Sequence, residues 1–140
     1  TALALSQGVI LLNGKRVNEN NCPEVFKKWK KIYFTDIVPT PERTLKFHEE
    51  VRKKVHKQLL ELGVQSGLES VSSPWIGMNV LSVDPKTVIV DKIQVPLIKL
   101  FEKNGFTAVP ISFRHSYYMG GIHCSTLDTV RDSKLESYCD

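Results

Sequence analysis

Residues 119 to 126 run Met-Gly-Gly-Ile-His-Cys-Ser-Thr, and Cys124 brings to this stretch the most nucleophilic side-chain type in the chain. A thiolate attacks an electrophilic carbon efficiently where a thiol does not, so such chemistry needs a proton acceptor and a site that holds the electrophile against sulfur. Gly120 and Gly121 permit a tight turn or a close approach of backbone to a ligand. With the small polar residues that follow, they predict a turn that delivers Cys124 onto the start of a strand. Neighbouring side chains on a strand point to opposite faces, so His123 is expected to face away from whatever Cys124 faces and to serve packing. His115 can be brought near by the turn in Arg-His-Ser-Tyr-Tyr-Met-Gly-Gly, yet nothing in its spacing demands a role. A lone cysteine is also commonly a small buried hydrophobe, and that reading stays open for Cys124.

Four more residues have types suited to holding a substrate. Arg16 follows a strand end in Asn-Gly-Lys-Arg, a turn context that presents its side chain outward. A guanidinium there is either solvated or a bidentate clamp for a carboxylate. Ser72 and Ser73 precede Pro74-Trp75, and Asn79 follows Met78 at the entry of a strand. These small donors and acceptors either line a pocket or cap a loop.

The elements that must position these residues come in a repeating order. Residues 2 to 6 and 8 to 12 alternate as two strands about Gln7-Gly8, and Asn-Cys-Pro-Glu-Val-Phe-Lys-Lys-Trp-Lys-Lys predicts a helix. In that helix Asn21 is the expected cap, with Pro23 in the first turn. Residues 32 to 37 then predict a short buried strand. The same order returns over residues 78 to 112: strand, Asp-Pro-Lys turn, strand, a helix from Val95 and the strand Phe-Thr-Ala-Val-Pro-Ile. The chain therefore contains an internal repeat of a ββαβ unit, about 2–37 and about 77–112. Such units bury their sheet faces against neighbours, so a larger ring or array is expected around them. Between the repeats, Phe47, Val51, Val55, Leu59 and Leu62 recur at threes and fours, predicting a long amphipathic helix over about 40–63. Thr40 is its expected cap and Gly63 its stop, with His48 and His56 on a solvated charged face. Residues 113–140 form the cysteine turn and a tail.

Composition narrows the function classes. A chain of 140 residues, 41% hydrophobic, can bury the core of one ordinary domain. The net charge of +4 is spread among acids rather than gathered with aromatics, which argues against a nucleic-acid partner. No apolar run reaches the roughly 18 residues of a membrane span. Cys22, Cys124 and Cys139 form no CxxC or Cys/His spacing, so neither a disulfide framework nor a metal site is expected and a reducing compartment is the simpler assignment. The chain opens on Thr-Ala-Leu-Ala-Leu-Ser, already in strand-like alternation, and is expected to be a piece of a longer polypeptide.

The stretch from Asn79 to Asp140, with Ser-Ser-Pro-Trp-Ile-Gly-Met-Asn before it and the opening Thr-Ala-Leu-Ala-Leu-Ser-Gln-Gly-Val-Ile-Leu-Leu-Asn-Gly-Lys-Arg, resembles the C-terminal part of the arginine amidinotransferases. This group includes the glycine, inosamine-phosphate and cyanotoxin-pathway enzymes. The Gly-Gly-x-His-Cys turn, the Met-Asn-Val-Leu strand, the Val-Pro to Phe-Glu-Lys helix and the Leu-x-Ser-Tyr-x-Asp ending occur together, and the resemblance covers most of the chain.

That resemblance implies an α/β (α+β) pentein-type propeller, a ring of ββαβ modules about an active-site channel. It implies that Cys124 attacks the guanidino carbon of L-arginine, that ornithine leaves, and that a small amine, glycine or a biosynthetic-pathway amine, captures the amidino group from sulfur. By the same resemblance Arg16 holds the donor carboxylate, and Ser72, Ser73 and Asn79 contact substrate, Ser73 more directly than Ser72. No cofactor is implied. The family's catalytic histidine, in a His-x-Asp motif, and the carboxylates that grip the guanidinium fall upstream of Thr1, so the rest of the same polypeptide is an expected partner. The helix over about 40–63 is longer than the animal enzymes lead one to expect and bears on acceptor choice. A cytoplasmic homodimer is expected, mitochondrial if the source is eukaryotic. Water as acceptor would make the protein a guanidino hydrolase instead, and loss of the chemistry would leave a binding remnant.

Overall fold

The computed structural model describes residues 2–39, 41–64, 74–113 and 120–130. Strands β1 (Ala2–Ser6) and β2 (Val9–Asn13) form an antiparallel hairpin, and β3 (Lys30–Phe34) joins β2 in parallel, giving the order β1-β2-β3. Helix α1 (Glu42–Glu61) follows. A second sheet repeats the first: β4 (Leu81–Asp84) antiparallel to β5 (Thr87–Asp91), then helix α2 (Val95–Lys103), then β6 (Thr107–Ile111) parallel to β5. The correspondence extends to irregularities. Register slips between Ala4 and Ser6 in the first hairpin and between Ser82 and Asp84 in the second.

Residue composition explains the placement of the middle strands. Val-Ile-Leu-Leu in β2 and Val-Ile-Val in β5 are nearly continuous apolar runs, as suits strands paired on both edges and covered on their faces. Their side chains meet in a single core, in which Leu11, Ile32 and Phe34 of the first sheet join Val80, Val88, Val90, Leu97 and Phe101 of the second. The sheets touch where β1 lies against β4, and the Ser82 hydroxyl donates to the Leu5 carbonyl.

Both helices end on a glycine in the left-handed region, Gly63 at φ +73° and Gly105 at φ +86°. In each, the next residue donates back across the last turn, Val64 N–H to Leu59 O at 2.9 Å and Phe106 N–H to Phe101 O at 3.0 Å. The second closure also stacks Phe106 edge-on against Phe101, with ring centres 6.0 Å apart. Helix α1 carries i,i+4 ion pairs Glu42–Lys46, Glu49–Lys53 and Lys57–Glu61 along its exposed side. Its apolar positions are not covered in the way the pattern leads one to expect, for Phe47 is 62% exposed and Leu62 78%.

Two local expectations are corrected. The helix predicted across residues 21–31 is a single 3-10 turn, Glu24–Phe26, and the following strand begins at Lys30 rather than Ile32 and ends at Phe34. The cause lies in the Asn-rich approach. Asn21 Oδ1 accepts from Asn18 N–H at 2.7 Å, Asn18 Oδ1 accepts from Asn20 N–H at 2.9 Å, and Asn21 Nδ2 donates to Arg16 O at 2.9 Å. These side-chain bonds satisfy the backbone in a turn conformation and compete with helix. Pro23 then occupies the cap position with no side-chain bond to offer, too close to β3 for more than one turn. For α1 the cap position falls on Pro41, likewise without a side-chain bond; Thr40, the expected cap, lies outside the described residues.

Candidate functional site

Arg16 is set by the turn that leaves β2. Asn13 is fully buried at the strand end, its carbonyl accepts from the N–H groups of Arg16 (3.0 Å) and Val17 (2.9 Å), and its Oδ1 accepts from Lys15 N–H at 2.9 Å. Gly14 N–H donates to Phe34 O at 2.8 Å, which pins the turn to β3. The Arg16 side chain is thereby presented to a cavity of about 290 Å³ that it shares with Trp75, Ile76, Met78, Asn79 and the Ala2-Leu3 end of β1.

The far wall of this cavity is the 3-10 turn Pro74–Met78. It is held from behind, where Trp75 stands edge-on to Phe34 at 6.5 Å between ring centres and Met78 is buried. Gly77 faces the Gln94 side chain so closely that a Cβ would lie 2.5 Å from its Nε2. Gln94 is itself fastened, accepting from Val38 N–H at 3.0 Å and donating to Val38 O at 2.8 Å. At the end of this turn Asn79 N–H donates to Ile76 O at 2.8 Å.

Asn79 links the cavity to the cysteine. Its backbone carbonyl accepts from His123 N–H at 3.3 Å and its Oδ1 accepts from Cys124 N–H at 3.1 Å. Cys124 is exposed and its thiol is free, while Ile122 just before it is buried and anchors the segment. Arg16, Asn79 and Cys124, far apart in sequence, are thus gathered around one turn.

The expected strand at Cys124 is corrected: His123–Ser125 form a 3-10 turn. The turn is closed by bonds from Ser125 N–H to Ile122 O and Thr126 N–H to His123 O, each 3.1 Å, and by the Ser125 hydroxyl to Gly121 O at 3.1 Å. Alternation of faces therefore does not apply to His123 and Cys124, since adjacent residues on such a turn are about 120° apart. Ser72, Ser73, His115 and Cys139 lie outside the described residues. Trp75 and Ile76, which the sequence reading did not assign to a site, line the cavity, and the signal available for them was their position in Trp-Ile-Gly-Met-Asn, next to Asn79. Among the described residues no cluster of three His, Cys, Asp or Glu is arranged to hold a metal, and no helix is long and apolar enough to cross a membrane.

No family model matches the chain. Along 139 residues, 99% of its length, it is 34% identical to inosamine-phosphate amidinotransferase 1 of Streptomyces glaucescens, covering 33% of that protein. It is 31% identical over 139 residues to the L-arginine:L-lysine amidinotransferase of Pseudomonas savastanoi pv. phaseolicola, 31% of whose length it covers. The solved structure of the inosamine-phosphate amidinotransferase of Streptomyces griseus superposes with a TM-score of 0.72 at 32% identity, over 99% of this chain and 33% of that one. The chain is amidinotransferase-like in sequence and in fold. It spans about a third of the length of the curated relatives it matches. Within this amidinotransferase-like segment, the cavity beside Arg16 and the cysteine turn are the two features that Asn79 joins directly.

Proposed function

We propose that this chain is the C-terminal part of an amidinotransferase that moves the amidino group of L-arginine to a small amine. In this reading its two repeat units, about 2–37 with a 3-10 turn in place of the helix and about 77–112 with helix α2, are modules of one pentein-type propeller. The helix over about 40–63 is an insertion, and residues 113–140 are the catalytic turn and tail. The observation that carries the reading is the bond from Cys124 N–H to Asn79 Oδ1, which ties the turn bearing an exposed cysteine to a residue that lines the same cavity as Arg16.

Guanidinium is resonance-stabilised and a poor electrophile, so a strong, soft nucleophile and a desolvated, oriented cation are both needed. The Cys124 thiolate adds to the guanidino carbon, a C–S bond forms, the bond to the side-chain nitrogen breaks, and ornithine departs with a proton from the upstream acid. The acceptor amine then adds to the amidino carbon, the C–S bond breaks, and the thiolate returns as the amine loses a proton. Dividing the transfer this way lets one site serve two amines in turn. Arg16 holds the donor carboxylate as a bidentate clamp. Ser72, Ser73 and Asn79 contact the substrate, and the histidine and carboxylates of the site come from the rest of the polypeptide. The protein works without cofactor as a cytoplasmic homodimer, with neither nucleic acid nor membrane as partner.

The test is intact mass spectrometry of the full-length polypeptide after incubation with arginine and an acid quench. An amidino adduct that maps to Cys124 and vanishes in Cys124→Ala, with ornithine released, is the expected result. Citrulline in place of a new amidino compound would make the protein a hydrolase. Unmodified Cys124 together with the absence of both products would sink the enzymatic reading.

A further inference from the structure

The 3-10 turn that bears Cys124 has an end problem common to all helical turns: its first N–H groups have no partner within the turn. Here one residue from a distant part of the chain answers both. Asn79 takes the His123 N–H on its backbone carbonyl at 3.3 Å and the Cys124 N–H on its side-chain oxygen at 3.1 Å. The two glycines make this approach possible. A Cβ on Gly121 would lie 2.5 Å from the Asn79 Cβ and 2.7 Å from its Oδ1, and a Cβ on Gly120 would collide with the Cys124 Cβ. Asn79 itself cannot drift, because Met78 and Val80 on either side are buried and its own N–H is bonded to Ile76 O at 2.8 Å.

We infer that Asn79 is a positioning residue for Cys124, fixing where the sulfur stands relative to the Arg16 cavity, and that Gly120-Gly121 exist to let it do so. The inference rests on the reading of Cys124 as nucleophile. Asn79 also lines the cavity that Arg16 shares, so one residue meets both the cysteine turn and the cavity. The physical consequence is specific. Cys124 is exposed, so water can take over its N–H if the carboxamide is removed, and folding is little affected. What is lost is the location of the sulfur, and a displacement of about 1 Å can lower a rate roughly 100-fold.

In the full-length protein, Asn79→Ala is expected to lower kcat roughly 10- to 100-fold, in addition to whatever rise in the KM for arginine follows from losing its substrate contact. Formation of the Cys124 adduct at saturating arginine should slow by the same factor, and the melting temperature should hardly move. Gly121→Ala, whose methyl group would push Asn79 off its bond, is a second route to the same signature and serves if Asn79→Ala fails to fold. A raised KM with unchanged kcat in either folded variant would overturn the inference, since that is the mark of a residue that only binds substrate. Cys124→Ala keeps the two levels apart. If it retains turnover, the nucleophile reading fails; if it is inactive while Asn79→Ala turns over at the normal rate, only the positioning role fails.

Discussion

The two repeats share a backbone plan and use it differently. Asn13 and Asp91 both end a central strand, both are buried, and both accept on Oδ1 from the N–H two residues on, at 2.9 Å and 3.2 Å. The next residue in each donates to the end of the third strand, Gly14 to Phe34 O and Lys92 to Ile111 O. Three residues past the strand end, however, the first repeat has exposed Arg16 and the second has buried Gln94. Residues 14–29 then reach β3 through one 3-10 turn, whereas residues 92–106, of nearly the same length, reach β6 through helix α2. An identical strand-exit turn therefore aims one side chain into a cavity and uses the other as an internal tie. The helix belongs to the repeat whose exit is a tie, and the loose connection to the repeat whose exit faces ligand space, in keeping with sites built on loops held by a rigid frame.

The strongest way to break this contrast is to truncate one aromatic residue in each connection. Phe101→Ala removes a fully buried ring of α2 that packs on Phe106 and should cost about 3–5 kcal/mol. Phe26→Ala, in the half-buried 3-10 turn where Phe26 meets Trp29 at 5.3 Å, should cost only roughly 1 kcal/mol. Chemical denaturation of the full-length variants measures both, and equal losses would show that the two connections contribute alike.

A second pair sharpens the difference between clamp and tie. Gln94→Ala strips both bonds from Val38 and should lower stability by about 1–3 kcal/mol. Arg16→Ala should leave stability within about 0.5 kcal/mol but raise the KM for arginine roughly tenfold or more. A stability loss at Arg16 as large as that at Gln94 would erase the distinction.

The smallest effect concerns the strand-end pair itself. Burial raises the carboxyl pKa of Asp91, against the lowering influence of the Ile93 N–H and of Lys92. A carboxyl raised in this way has its full stability below the unfolded value and loses some as the pH climbs through the folded one, so at neutral pH the ionised group is a burden. Asp91→Asn, which installs the residue of the first repeat, should therefore raise Tm by roughly 2 °C at pH 7 and have no such benefit at pH 3. Equal melting shifts at both pH values would exclude the electrostatic cause.

Much of the frame was legible because it depends on local periodicity. The hairpin about Gln7-Gly8, the apolar run of β2, the long helix with its Gly63 stop and the whole order from β4 to β6 follow from alternation, threes and fours, and turn residues. The failures share a cause as well. Val25, Phe26 and Trp29 have helical spacing, but the asparagines at 18, 20 and 21 form their bonds in a turn, and that competition is settled by geometry rather than by pattern. The same holds at Cys124, where a β-tolerant stretch becomes a 3-10 turn because its first donors find Asn79.

By itself, then, the sequence determined the mixed α/β class, the repeat, and the candidacy of Cys124, Arg16 and Asn79 for the chemistry, since side-chain type and spacing are local properties. Only the tertiary structure decided that Asn79 holds the cysteine turn, that Gln94 ties Val38 where its counterpart Arg16 faces a cavity, and that Gly121 answers to a neighbouring carboxamide. Those outcomes depend on bonds and close contacts between residues up to 56 positions apart, as from Val38 to Gln94. No local window contains both partners.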